Sequence, residues 1–591
     1  MLGYFVLAIV AVLLAPIGPF YGWVCAPFEH KSVVLSAVAL VEAVVYGISI
    51  AVLWKVGLLR FLKIAIEFLL LVIVAFTCLA LGGAPTWTWL VLEIVVALAV
   101  ILWAVRMLAE RRLSYVKTPL NLLLLLLLAY IFFQLLPLPA GILRISQPGT
   151  LRVHTVGPPQ VAQAASLPLE GGGSFSISLN RMRTRGHLLL WAAYVGFFLV
   201  FINNVRGREQ LGRMVGTLVA IGAIVAVSGF ATAKQDERLL YRTWPAASMD
   251  EKPPILNWEA NPEFSAGFGF VFAASEGDRV DFYVPKVHVG DVFGGFASSN
   301  SAATVMLMAL ALSLGVFFAY VSTRREEWGR SGGLLYTREG NITLLVLFIA
   351  VLLVCGLALS RSRVAVALVV VGVPVLIVLV GFCRSWLAGL LSVIVSPLVV
   401  AVLMVVLTVF LLLVTGAASE LLSSRAYEHP TEFVREKVSG YFNPWEEETR
   451  FIAREATWRI VGDYPLFGTG LGTFCSVYPS YKIRGPMLYF AHCDPLQWFA
   501  EMGLVGSGLV AAILLSAVVT VVVGWFRLKD PFFRRLLLGS VCACLAFLIH
   551  GLLDFPLQIP GVAMFFVAAG AVSIVIARDR VARHEEKSFV S

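Results

Sequence analysis

Charge is what this chain has least of. Only 14% of its 591 residues are Asp, Glu, Lys or Arg, against 59% that are hydrophobic, and the mean hydropathy is +0.88. Soluble domains carry about a quarter of their residues as charges, so lipid rather than water is the expected main solvent. Closely spaced CxxC cysteines are missing too. The eight cysteines are scattered, Cys78, Cys355, Cys542 and Cys544 within apolar runs, and no CxxC spacing marks a zinc or redox centre. No acidic pair of the DxD kind and no His/Cys cluster with ligand spacing is present, so no catalytic metal is expected. No basic stretch precedes the first apolar run, Tyr4 to Val24, and no small-residue cleavage site follows it, so it reads as a retained span. There is no internal repeat and no low-complexity tail. The net charge of +9 falls in short clusters between apolar runs rather than on one folded face. That distribution sets topology and argues against a nucleic-acid partner.

What is present is a succession of apolar runs long enough to cross about 30 Å of hydrocarbon, roughly 20 residues each. Only helices satisfy their own backbone there, so the expected fold is all-α and polytopic. Runs fall near 4–24, 33–54, 62–81, 87–108, 119–137, 187–203, 211–231, 301–322, 342–360, 364–382, 388–415, 495–525, 535–553 and 559–577, about fourteen transmembrane helices. Positive charge supports that count. With the amino terminus inside, Lys55, Arg60 and Lys63, then Arg106, Arg111, Arg112 and Lys117, then Arg206, Arg208 and Arg213 all fall inside. The later inside loops and the tail repeat the pattern, while the turns at 82–86 and 555–559 carry no base. The chain thus divides into an N-terminal block 1–137, a pair at 187–231, a block 301–415, a C-terminal block 495–577 and a tail 578–591, separated by three long outside loops at 138–186, 232–300 and 416–494.

The loops differ in character. The stretch SFSISL after the glycines at 171–173 alternates like a strand, as does DRVDFYVPKVHVGDVF in the second loop. In the third, EETRFIAREATWRIVGDYP has helical spacing, with Arg450, Arg454 and Trp458 recurring every fourth residue up to a stop at Pro465.

Four constellations carry potential chemistry. The turn SRSR places Arg361 and Arg363 on the side where positive charge is normally thinned out. Arg450 and Arg454 form a second outside pair. Planar guanidinium groups grip phosphate oxygens through paired hydrogen bonds, so two such pairs converging would suit a diphosphate. The bland alternatives are interfacial snorkelling for the first pair and neutralisation by Glu446, Glu447 and Glu448 for the second. In AHCDPLQWFAEMGLVG, Asp494 reads as a helix N-cap with Gln497 completing a capping box, which leaves His492 just before a helix at the membrane surface. An imidazole there suits a general base at neutral pH, although a lone histidine is more often a packing residue. Gln497 and Glu501 share a face inside the outer membrane region, where an ionisable group needs a partner, and His550 and Asp554 end a later span. Glu42, Glu67 and Glu93 also lie within apolar runs and read as interhelical bonding groups. Cys475 and Cys493 share one hydrophilic loop, and an oxidising compartment would pair them beside His492.

Taken in order, several stretches resemble the O-antigen ligase and O-antigen polymerase superfamily. QLLPLP at 134–139 with its long loop and SISL is similar to the family's first outside loop; FGGFASSNSAATVMLMALALSLG at 293–315 is similar to the segment in which an Asn, here Asn300, precedes a span. LALSRSRVAVALV resembles the span-turn-span around Ser362 and Arg363. RFIAREATWRIVGDYPLFGTGLGTF resembles an Arg-x-x-x-Trp helix and Gly-x-Gly turn, placing Arg454, Trp458 and Gly470. AHCDPLQWFAEMGLVG matches a His-Asn-x-x-Leu-Gln-x-x-x-Glu-x-Gly pattern, departing from it at Cys493 and Pro495, and IHGLLDFPLQIPG resembles a further signature with His550 and Asp554.

The resemblance implies a GT-C-like, metal-independent enzyme of the bacterial inner membrane with both termini cytoplasmic and the active site periplasmic. It needs no cofactor. It implies transfer of a glycan from undecaprenyl diphosphate to a glycan, lipid A-core or protein acceptor, with His492 as general base, Arg363, Arg454, Arg361 and Arg450 on the diphosphate, and Asp494, Gln497, Glu501, Asn300, Trp458, His550 and Asp554 in support. Ligase and polymerase remain open, since they differ in acceptor and acceptor contacts lie in the variable loops. A lipid-linked glycan transporter is the reading from another class, and it predicts charge at mid-membrane rather than at the outer surface.

Overall fold

The computed structural model describes residues 57–83, 86–113, 115–156, 173–233, 275–276, 279–280, 293–296, 298–330, 337–360, 362, 364–365, 367–369, 444–482 and 488–578. Within them, nine helices are long and apolar enough to cross a membrane. In chain order the elements are α1 (Leu58–Leu79), α2 (Thr86–Ala109), the 15-residue α3 (Pro119–Phe133), β1 (Pro137–Pro139), α4 (Ala140–Ser146), α5 (Pro148–Val156), β2 (Ser174–Ser176), α6 (Arg181–Asn204) and α7 (Arg208–Ala233). There follow the two-residue strands β3 (Ser275–Glu276) and β4 (Arg279–Val280), then α8 (Ser299–Arg330), α9 (Arg338–Leu359), α10 (Pro444–Asp463), α11 (Phe474–Tyr481), α12 (Asp494–Arg527), α13 (Pro531–Gly551) and α14 (Pro560–Ala577). The chain is therefore a polytopic helical membrane protein. Ten of the expected spans meet a helix; those at 4–24, 33–54, 364–382 and 388–415 lie outside the described residues, as does Glu42, apart from a few residues of the third.

Polar caps start several helices where apolar sequence begins. The Thr118, Asn180, Thr337 and Asp530 side chains accept from the backbone N–H groups of Asn121, Arg183, Gly340 and Phe532, satisfying donors that lipid cannot. The bundle is centred on α8 and α14, each with 83% of its apolar window buried, whereas α12 has only 11% and faces lipid along most of its length. α8 packs on α13 through small residues: a Cβ on Gly315 would lie 2.8 Å from the Gly539 Cα. In lipid, where no hydrophobic drive holds helices together, such close backbone approach supplies the dispersion contact. The first half of the expected strand SFSISL, Ser174–Ser176, is present as β2, paired antiparallel with β1 so that Leu138 opposes Phe175. Of the alternating stretch in the second loop, Arg279–Val280 and Phe293 are described; the former are β4, paired antiparallel with β3 just before the stretch. Glu67, one of the acids expected to bond between helices, accepts from Gln210 at 3.0 Å and pairs with Arg213, both on α7.

Candidate active site

The site is built at one end of the bundle, where α10, the glycine turn after it, the start of α12 and the end of α13 meet. α10 forms as its spacing predicts and stops at Asp463, before Pro465. The chain then turns through Gly468, Gly470 and Gly472, all left-handed. A buried carboxylate holds that turn. Glu501, 1% exposed, accepts from the N–H groups of Gly472 at 2.8 Å and Phe474 at 3.0 Å and from Gln497 Nε2 at 3.3 Å. The partner that an intramembrane acid needs is thus the start of α11. Gln134, fully buried at the end of α3, clamps the turn from the other side: its amide donates to the carbonyls of Phe467 (2.9 Å) and Glu501 (3.0 Å) and accepts from Leu471 N–H at 3.1 Å. Arg183 on α6 adds a longer bond to the Gly472 carbonyl, 3.4 Å. Sequence reasoning did not single out Gln134 or Arg183; an amide at the end of an apolar run, in QLLPLP, was the available signal for the first.

α12 enters this knot through Gly503, at φ 61° and ψ −166°, a conformation open to glycine alone. A Cβ there would also sit 2.4 Å from the Leu466 carbonyl oxygen. Gly503→Ala is expected to destabilise the protein by about 3 kcal/mol or more from strain and overlap together, read as a lowered unfolding midpoint in detergent; an unchanged midpoint would refute the tight approach.

His492 lies on the segment suspended above α12. Its backbone is left-handed at φ 50°, uncommon for a residue with a Cβ. Neighbouring bonds hold it: Ala491 N–H donates to Gln497 Oε1 at 3.0 Å, Arg454 Nη2 donates to the His492 carbonyl at 3.0 Å, and Asp494 N–H reaches the Asp554 carbonyl at 3.3 Å. The imidazole stands edge-on to Phe555, centroids 4.8 Å apart, and Phe555 stacks on Phe490. Its Nδ1 lies 3.3 Å from Asp554 Oδ1, and the ring is partly exposed. The Asp554 side chain is 7% exposed. Burial acts to raise its carboxyl, but the hydrogen bond and charge of His492, with His550 and Arg450 nearby, outweigh it and hold the group below the usual carboxylate range. An ionised Asp554 can only accept, so Nδ1–H donates to it and Nε2 is left as the basic nitrogen.

The other expected residues divide. Arg450 is half-buried and acts electrostatically on both Asp554 and His550, and Arg454 spends one edge on the His492 carbonyl, its buried Nε having no hydrogen-bond partner among the described residues. His550 is fully buried, its Nδ1 2.6 Å from Thr304 Oγ1, while that hydroxyl donates to the Asn300 carbonyl. Asn300 thus joins through its backbone. Trp458 is 61% exposed and does not join the site; a step of four residues drifts about 40° around a helix of 3.6 residues per turn, so two steps from Arg450 carry it off the shared face. Arg361 and Arg363 lie outside the described residues, and the Glu446, Glu447 and Glu448 side chains are not described; Ser362 between the two arginines is buried.

Two expectations are corrected. Asp494 is not the N-cap of α12: Cys493 holds that position without a side-chain bond, and the capping box with Gln497 does not form. The Asp494 carboxylate turns instead to Leu557 N–H at 2.9 Å and Gln558 Nε2 at 3.4 Å, fastening the start of α12 to the turn after Asp554. Cys475 and Cys493 are free thiols rather than a disulfide. Burial pushes the Cys475 thiol up to about 11, which keeps it protonated and unreactive.

Residues 348–511 match the family model described as O-Antigen ligase. That segment covers the SRSR turn, α10, the glycine turn, His492 and the start of α12; Gln134, His550 and Asp554 lie outside it. A probable peptidoglycan glycosyltransferase, FtsW, from Geobacter metallireducens is 29% identical over 150 residues, 24% of this chain and 38% of the relative. The match therefore spans well under half of that protein's length. The motif order and the family match agree: over residues 348–511 the chain is similar to the O-antigen ligase family.

Proposed function

We propose that the protein is an inverting glycosyltransferase of the ligase kind, moving a glycan from undecaprenyl diphosphate to an acceptor hydroxyl at the periplasmic face of the inner membrane without a metal. The observation that carries the reading is His492, backed at Nδ1 by the ionised Asp554, with Arg454 on its carbonyl and Arg450 close to that carboxylate. Nε2 takes the proton of the acceptor hydroxyl as that oxygen attacks the anomeric carbon. The bond from that carbon to the diphosphate oxygen breaks on the opposite face, and the electron pair leaves with undecaprenyl diphosphate. Asp554 stabilises the imidazolium that forms. Arg450 and Arg454, joined by Arg361 and Arg363 from the SRSR turn, neutralise the charge that grows on the leaving group.

Arg454 has two tasks on this reading, holding the donor and fixing the His492 carbonyl. Arg454→Ala is expected to weaken binding of a lipid-diphosphate glycan by about tenfold or more, the worth of a charge-assisted bond of about 1.5–3 kcal/mol, and to lower transfer as well. Unchanged donor affinity in proteoliposomes would remove Arg454 from the diphosphate site. A deletion strain tests the ligase assignment. Accumulated lipid-linked polymer with nothing attached to the acceptor is the expected result; single repeat units on the acceptor would make the protein a polymerase, and normal surface polysaccharide would overturn both.

A further inference from the structure

At the far end of the bundle α1, the ends of α2 and α6, and the start of α7 line an open-mouthed cavity of about 350 Å³. α6 begins at the candidate active site and ends at this cavity, so its 24 residues set the two about 36 Å apart. The floor is a buried cation: Arg106, 6% exposed, donates from Nε to Glu110 at 2.8 Å and from Nη1 to Asn204 Oδ1 at 2.7 Å. Both carboxylates at the cavity are already engaged, Glu110 by Arg106 and Glu67 by Arg213 and Gln210.

Two cations are left over. Lys63 lines the cavity and has no ion-pair partner among the described residues. Arg206 lines it too; its Nε donates to the Asn203 carbonyl at 3.2 Å, and its Nη groups have no hydrogen-bond partner among the described residues. Burial first, then the nearby Arg106 charge, holds the Arg206 guanidinium below its usual value against the partial pull of Glu110, so this group gains from an added anion. Setting topology requires only that positive charge lie near a helix end. It does not require arginines turned into a cavity between helices with their nearest carboxylates neutralised. Ile101 and Val105 are exposed on α2, on the membrane side of Arg106 along the helix, and give α2 an apolar outer surface.

We propose that this cavity binds the phosphate headgroup of an anionic phospholipid of the cytoplasmic leaflet, held between Lys63 and Arg206 over the Arg106 floor, with its acyl chains against α2. The site is separate from glycan transfer and does not rest on that assignment. A basic recess between helices on the cytoplasmic side is the setting in which anionic headgroups bind.

The test uses the full-length protein purified in mild detergent, with retained phospholipid measured by mass spectrometry after exchange against phosphatidylglycerol or phosphatidylcholine. Phosphatidylglycerol is expected to be retained in preference and to raise the unfolding midpoint, while millimolar inorganic phosphate leaves the midpoint unmoved. Lys63→Gln and Arg206→Gln should each lower retention about fivefold, the equivalent of about 1 kcal/mol per cation. Lys63 is exposed at the start of α1, so its substitution keeps the test available even if the Arg206 variant folds poorly. Equal retention of the two lipids by the wild type, or undiminished phosphatidylglycerol on the Lys63→Gln variant, would overturn the proposal. A midpoint shift from inorganic phosphate matching that from the lipid would assign the cavity to a soluble anion and overturn it likewise.

Discussion

Purified His492→Ala protein in proteoliposomes is expected to transfer glycan about 10²- to 10⁴-fold more slowly than wild type while still binding the lipid-diphosphate donor. The size follows from the loss of a positioned general base. The separation of the two effects follows from the geometry, since the guanidinium groups that would hold the diphosphate come from α10 and the base comes from the segment before α12. Asp554→Asn should cost less, about tenfold, because an amide oxygen still accepts from Nδ1 but lacks the charge that makes such a bond about 1–2 kcal/mol stronger. Single-turnover transfer measures both. Full activity of His492→Ala would refute the mechanism, and full activity of Asp554→Asn would reduce the carboxylate to packing.

Much of the architecture was legible because lipid imposes one rule on every span. Long apolar runs must be helices, and each of the ten runs that falls among described residues meets one. The helix carrying Arg450 and Arg454 was legible for a similar reason, since polar and apolar residues alternate on it at helical period and Pro465 marks its end. What local pattern misjudged was decided by residues far along the chain. Asp494 has the sequence of an N-cap, yet Leu557 N–H and Gln558, more than sixty positions on, compete for its carboxylate and win. Gln134 binds carbonyls more than three hundred positions away, which no spacing rule can reveal. Trp458 stands 61% exposed for a local reason, the angular drift of steps of four.

Glu501→Ala is expected to be the most damaging substitution for folding, although the carboxylate touches no reacting atom. It would strip the acceptor from two buried backbone donors, Gly472 and Phe474, and from the Gln497 amide. Each orphaned donor costs about 1–3 kcal/mol, so about 3–9 kcal/mol is at stake if the sites do not fill with water. That loss is comparable with the whole stability of many domains. The expected outcome is little folded protein, and transfer by whatever remains should fall too, because Gln497, freed from Glu501, also holds the Ala491 N–H beside His492. Glu501→Gln distinguishes a structural from a chemical role. Its amide keeps one good acceptor and turns a donor toward the second N–H, so it should fold at a lowered midpoint. Its activity per folded molecule should stay within severalfold of wild type, against the large loss expected for His492→Ala. A Glu501→Gln protein that folds with an unchanged midpoint but transfers no glycan would move Glu501 from the scaffold into the chemistry.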